Sequence, residues 1–358
     1  MPAIDLDTSA LYAPYDLQTL RITGGGRYGS FTLSARLCPD PEAPGGWVEA
    51  LDTSLTADAG GSASVGGFDS LLLDAMASRP SGVWGLEIRI GGSATADAPY
   101  RIHYCRARLG MPLSEWGRTR PLSLAHSGQR AFRGVPSLLR VTGTVTGVRL
   151  SVRGTDGKAV TAGEVPPAEA DGGCSTLTLD WDALLAQAGE AVRDGWQAEA
   201  EVSREGLPAL SVRYRGTPVP YGGALLAFSN AFGVEECLCM SRVTAKHSPS
   251  YHSITVGGHT RNYRTDNGSA CEGVSLPLED PQLDQAADLA ESPSVRLRRS
   301  QEGRGDVAVT PTKATLEADS SPGALPRLEL TWREETERPE AGARDGRVWD
   351  GTFDDTYN

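Results

Sequence analysis

Short runs that alternate apolar and polar side chains recur along this chain, each cut off by glycine or proline. "LQTLRIT" and "SFTLSARL" stand either side of "GGGRYG" (Gly24 to Gly29), and "VWGLEIRIGG" repeats the pattern further on. A period of two places successive side chains on opposite faces of a strand, one for a core and one for water. With 42 glycines and 23 prolines in 358 residues, turns are frequent and long helices scarce. The expectation is a mainly β protein, built as two or three consecutive β-sandwich-like domains with short helices packed at the ends.

The length suits two or three domains. Residues 1–110 read as an N-terminal β-sandwich-like domain with one helical stretch, "FDSLLLDAMAS", whose Leu71, Leu72, Ala75 and Met76 share a face. Residues 111–137 show neither helical nor strand period and read as an irregular connecting segment, crossing between domains or lying against a neighbour. Residues 138–216 form a small β-sandwich with a helix at "DWDALLAQAGEAVRD", where Asp180 can cap and Leu184, Leu185, Ala188 and Val192 line one side. Residues 217–338 form a C-terminal β domain with a helix at "EDPQLDQAADLAESP". There Asp280 can cap, Pro281 fits the first turn, and Leu283, Ala287, Leu289 and Ala290 make the packing face. Residues 339–358 form a tether and an aromatic tail.

A net charge of -12 argues against a nucleic-acid surface, which needs clustered Lys and Arg, and the densest basic run is only "RLRRS" (Arg296 to Ser300). No apolar run is long enough to span a membrane, and "MPAIDLDTSA" lacks the basic and apolar parts of a secretion signal. Six scattered cysteines are too few for a disulfide scaffold, so reduced, buried thiols are expected.

No arrangement that carries chemistry stands out. "GGGRYG" is followed by a strand pattern, not the helix a dinucleotide loop must open, so it reads as a hairpin turn. Cys237 and Cys239 share a strand face, and His247, His252 and His259 follow, but the spacings are not those of a zinc site; no metal or other cofactor is expected. No nucleophile elbow or catalytic cysteine setting is present. Glu235 and Glu236 are adjacent on a strand and face opposite ways, unlike the convergent acids of a glycosidase, and Asp354 and Asp355 are likewise adjacent. "RGD" (Arg304 to Asp306) and "NGS" at Asn267 both read as turns. The chain is therefore expected to be no enzyme, with no catalytic residue.

The last residues, "WDGTFDDTYN", repeat an aromatic-Asp-x-Thr unit. Asp two residues before Thr favours local turns, which would throw Trp349, Phe353 and Tyr357 to one side. Upstream, "EETERPEAGARDG" has the composition of a flexible tether. Those three rings are the expected partner-binding residues, and removing residues 346–358 should leave a folded monomer that associates less.

Four pieces occur in a telling order: "FSNAFGVEECL", "LDQAADLAESPSVRL", "DVAVTPTKATLE" and "RVWDGTFDDTYN". In this order they resemble uncharacterised structural, tail-associated proteins of Bacteroidetes phages and prophages. The match falls on Asn230, Phe232, Gly233, Glu236, Ser292, Pro293 and the tail, and covers chiefly the last 140 residues. The resemblance implies a virion component made in the bacterial cytoplasm, of the tail or its tip, whose partners are its own copies and other virion proteins, without nucleic acid or membrane. It carries no activity. The alternatives are a carbohydrate-binding adhesin module recognising a host surface glycan, with Trp47, Trp84 and Trp116 as candidate rings, and a hydrolase.

Overall fold

The computed structural model describes residues 3–42, 45–126, 128–154, 159–162, 168–188, 195–256, 259–298, 305–317 and 325–334. The protein is mainly β. Its first part holds β1 (Ala3–Ile4), β2 (Leu11–Tyr12), β3 (Thr19–Thr23), β4 (Ser30–Cys38), β5 (Val48–Thr56), β6 (Ala63–Gly66), α1 (Phe68–Met76), β7 (Val83–Ile90), β8 (Ser93–Ala94) and β9 (Tyr100–His103). One sheet runs β1-β3-β6 and another β2-β9-β7-β4-β5, with β8 on β7. Their apolar faces share a core with Phe68, Leu72 and Met76 of α1, as the helical spacing of those residues demands.

The glycine-rich "GGGRYG" is not a hairpin turn. β3 pairs with β6 and β4 with β5, so the loop is a kink in one long ribbon that passes between the two sheets. It lies opposite residues 57–62, with Gly25 N–H donating to Gly61 O at 2.9 Å and Tyr28 N–H to Asp58 O at 3.2 Å. The kink requires left-handed backbone, which Gly24 and Gly26 adopt at φ 78° and 71°.

The segment 111–137, expected to be irregular, carries α2 (Leu113–Thr119) and β10 (Gln129–Ala131). α2 has a glycine in its middle and no period long enough to be read, and its ends are held from outside. Asp16 accepts from Leu113 N–H at 3.0 Å, while the buried Arg204 donates to Gly117 O at 2.6 Å and Arg118 O at 2.8 Å. Leu113, Trp116 and Leu122 then form a core with Val83 and Cys105 before them and Cys174, Ala231 and Phe232 after. The crossing segment is thus the common contact of all three parts.

The middle part adds β11 (Ser137–Thr142), β12 (Val145–Arg153), β13 (Ala159–Ala162), β14 (Glu169–Asp171), β15 (Cys174–Leu179), α3 (Trp181–Ala188), β16 (Gln197–Arg204) and β17 (Leu207–Gly216). A β10-β17-β16-β12-β13 sheet and a β11-β15-β14 sheet bury one core between them, centred on Trp181, Trp196 and Tyr214. Asp180 caps α3 as expected, its Oδ1 accepting from Asp182 and Ala183 N–H.

The last part is a closed barrel, where a third sandwich-like unit was one expectation. Its strands are β18 (Ala224–Ser229), β19 (Glu235–Val256), β20 (His259–Ser275), β21 (Val295–Arg298), β22 (Val307–Glu317) and β23 (Arg327–Glu334), closing in the order β18-β19-β20-β23-β22-β21. α4 (Asp280–Ala290) joins the barrel core through Ala286 and Leu289. Asp280 is its first helical residue rather than its cap. Glu279 takes the cap position, its N–H held by Gln282 Oε1 at 2.9 Å. Of the expected packing face Leu289 is buried, Leu283 and Ala290 are half-buried and Ala287 is exposed, while Gln282, Gln285 and Asp288 are buried as well.

Candidate functional site

Those buried polar residues belong to a knot that fixes the barrel to the crossing segment. Asn230 Oδ1 accepts from Phe232 and Val234 N–H, both at 2.9 Å, which forces its Nδ2 toward Leu122 O and Glu236 Oε1, the latter at 2.7 Å. Gln285 Nε2 donates to Glu236 Oε2 at 2.7 Å, and Ser123 adds a hydroxyl bond. Burial raises the Glu236 carboxyl despite these three donors. Beside it, Asp288 pairs with Arg106 and accepts from Ala231 N–H at 2.6 Å. Burial is the largest influence on Asp288 and pushes it to about 6, Arg106 pulling the other way. Arg106 also closes the C-terminal end of α4, donating to Asp288 O at 2.8 Å and to Glu291 O.

Asn230, Phe232, Gly233, Glu236 and Ser292, on which the expectation of a phage structural protein rests, all lie in or against this knot. Gly233 has φ 74°, and a Cβ there would stand 2.4 Å from Pro80 O of the first part. Ser292 Oγ donates to Ser229 O at 2.8 Å. The arrangement holds parts together, its polar groups turned onto one another.

The outward feature is the ribbon of β19 and β20. β18 pairs with β19 only over Glu235 to Met240, and β23 with β20 only over Cys271 to Val274. Beyond these the two strands pair with each other alone, from Lys246↔Ala270 to Val256↔His259. At about 3.3 Å per residue this arm reaches on the order of 35 Å past the barrel. Among the described residues nothing pairs with either outer edge of the arm. Ser253, Ile254, Thr255, His259 and Thr260 are exposed, Ile254 at 54%. In a chain of net charge -12, residues 247–269 of the arm carry Arg261 and Arg264 against Asp266, a formal charge of +1, while Lys246 at its root pairs with Glu272 at 2.7 Å.

Trp349, Phe353 and Tyr357 lie outside the described residues. Cys237 and Cys239 are on β19, with Cys239 buried against Phe132, Val135 and Leu225, and burial pushes both thiols up to about 12. His247, His252 and His259 lie on the arm. Cys38, Cys105, Cys174, Cys237 and Cys239 are reduced thiols. Glu235 and Glu236 do diverge: Glu235 faces out to Arg296 and Arg298, Glu236 inward to the knot. Asn267 is paired with Pro249 within β20, so "NGS" is not a turn. Asp306 of "RGD" is bound by Arg298 at 2.8 Å, and Arg304 lies outside the described residues. Trp84 and Trp116 are core residues, and Trp47 is half-buried with the Arg36 guanidinium 4.5 Å over its ring. The candidate rings of a glycan platform therefore share no open face. Among the described residues no helix is long and apolar enough to cross a membrane.

No protein-family model matches the chain, and no curated protein does. Among solved structures, it is similar to a tetra-tandem repeat in the extending region of a large adhesion protein, at 13% identity over 76% of this chain and 69% of that one, with a TM-score of 0.20. A DUF4785 family protein of Legionella pneumophila aligns at 10% identity over 80% of this chain and 82% of that one, with a TM-score of 0.19. Scores this low define no common fold.

Proposed function

We propose that this protein is a non-enzymatic assembly subunit, a structural protein of a phage tail or tail tip, that works through contacts with its own copies and companion virion proteins. The projecting arm carries the reading. A two-stranded ribbon standing alone in water is marginal at best, so a chain that holds one out needs something to cover it. Strand addition to either free edge, or laying the ribbon across a neighbour, would supply the missing pairs. Its basic charge complements the acidic remainder of the chain, which favours another copy as the cover. The resemblance of the last 140 residues to phage structural proteins supports the same class.

The test replaces residues 247–269 by Asn-Gly, a turn that closes a two-residue hairpin. The shortened chain should keep the parent's thermal midpoint within a few degrees while its sedimentation drops to that of a monomer. Assembly of undiminished size in the shortened chain would reject the reading.

A further inference from the structure

The outward face of the β10-β17-β16-β12-β13 sheet forms an open cleft of about 420 Å³ against the start of α4. Register puts Arg153, Gln197 and Arg215 in one cross-strand row, and Glu199 and Arg213 in the next. At about 4.8 Å between strands, Arg153 and Arg215 stand roughly 10 Å apart, with Arg213 beside them on β17. Arg130 of the edge strand borders the same space. Two acids share the cleft, and both are engaged: Glu279 pairs with Arg215 at 2.9 Å, and Glu199 accepts from Ser211. Arg153 and Arg213 are exposed with no acid partner among the described residues. Arg130 donates through Nη2 to Pro277 O, while its buried Nη1 has no partner. Free guanidinium groups are thus concentrated at one place on a chain of net charge -12.

We propose that this cleft receives the acidic, ring-bearing segment Trp349 to Asn358 of a second copy of the chain. The proposal rests on the assembly reading above and names where one contact is made. The segment carries Asp350, Asp354 and Asp355 with no Lys or Arg, and three rings between them. Carboxylates take paired N–H groups from guanidinium, and guanidinium planes stack on aromatic faces, so one arginine-lined surface satisfies both features. The last described strand runs away from the cleft. β23 begins beside the cleft, where Leu278 N–H donates to Pro326 O at 2.8 Å next to the Arg130-bound Pro277. It then runs to Glu334, roughly 25 Å away at strand rise. There Trp332 lies opposite Cys271 at the root of the arm. Glu334 therefore stands at the arm end, with the cleft at the other, an arrangement that a head-to-tail contact between copies would use.

The experiment uses the full chain carrying D354K and D355K, so that its own segment does not compete, and a fluorescein-labelled peptide of residues 348–358. Anisotropy should show saturable binding that weakens with added salt. Adding Arg153→Glu and Arg213→Glu to the receptor should weaken it at least tenfold, and a peptide with the two aspartates changed to lysine should bind that receptor better than the original peptide does. Circular dichroism and the thermal midpoint check that the cleft variant is folded; if it is not, Arg153→Gln and Arg213→Gln take its place. No saturable binding, or equal affinity with and without the arginines, overturns the proposal. So does a heparin fragment that binds the cleft where the peptide does not, which would assign the arginines to an anionic glycan. Arm-dependent assembly with no peptide binding would sink the docking site alone and leave the assembly reading standing; a chain that binds the peptide yet stays monomeric would do the reverse.

Discussion

At Asp288 and Arg106 two opposed effects meet. A carboxyl whose folded pKa, about 6, lies above its unfolded value, 3.8, holds its proton more tightly when folded. Its ionisation therefore costs stability, fully above about pH 6 and not at all below the unfolded value. Arg106 limits that cost, while the nearby Glu236 adds to it. Arg106→Met would leave the carboxylate buried without its cation, a loss of roughly 3 kcal/mol at pH 7.5. Because the unpaired carboxyl would take up a proton more readily, the deficit should shrink as the pH is lowered to 5, leaving the part due to the lost bonds to Ser229 O, Asp288 O and Glu291 O. Urea denaturation at both pH values reads this, and a deficit independent of pH would show that the carboxylate is not what Arg106 serves. His103 has the opposite sign: burial pulls its imidazole down to about 3, so stability is lost as the pH falls from about 6.5. Its Nε2 accepts from Arg140 of β11, across to the middle part, where Arg140 also binds Asp171 of the same sheet.

Among the elements, α2 shows how much of a helix can lie outside its own sequence. Gly117 is there because Thr142 of β11 packs onto it: a Cβ would stand 2.4 Å from Thr142 Cγ2. Gly117→Ala should cost about 1–3 kcal/mol through overpacking, despite the better helix propensity of alanine, with Thr142→Ala in the same chain recovering part of it. A stabilised Gly117→Ala chain would mean that the contact relaxes freely. The same dependence explains which elements could be read in advance. α1, α3 and α4 carry enough apolar residues at helical spacing to declare themselves, whereas α2 is short, glycine-containing and held by Asp16 of a 3-10 turn and Arg204 of a distant strand. The ladder of the arm does not read as one, and "NGS" within it reads as a turn, because the pairing of two strands far from a core leaves little pattern in the sequence. The knot escaped for the converse reason. Sequence pattern marks leucine and alanine as the packing face of α4, but the residues that fasten it are Gln282, Gln285 and Asp288, polar side chains whose burial is repaid only by partners far along the chain.

For the whole molecule, the arm and the departing chain share one end of the barrel and the arginine cleft lies at the other. Contacts between unlike surfaces do not satisfy themselves in a pair of copies: they close into a ring or continue as a filament. The self-association proposed for this protein should therefore not stop at a dimer. Sedimentation across a range of concentrations should reveal either one closed species larger than a dimer or an open series, and electron microscopy rings or tubes. With a basic arm against an acidic body, raising NaCl from about 0.05 to 0.5 M shortens the screening length severalfold and should weaken association while leaving the monomer's thermal midpoint almost unchanged. A dimer that persists at every concentration, indifferent to salt, would point to a two-fold apolar interface and remove the polarity that the arm and the cleft together give the subunit.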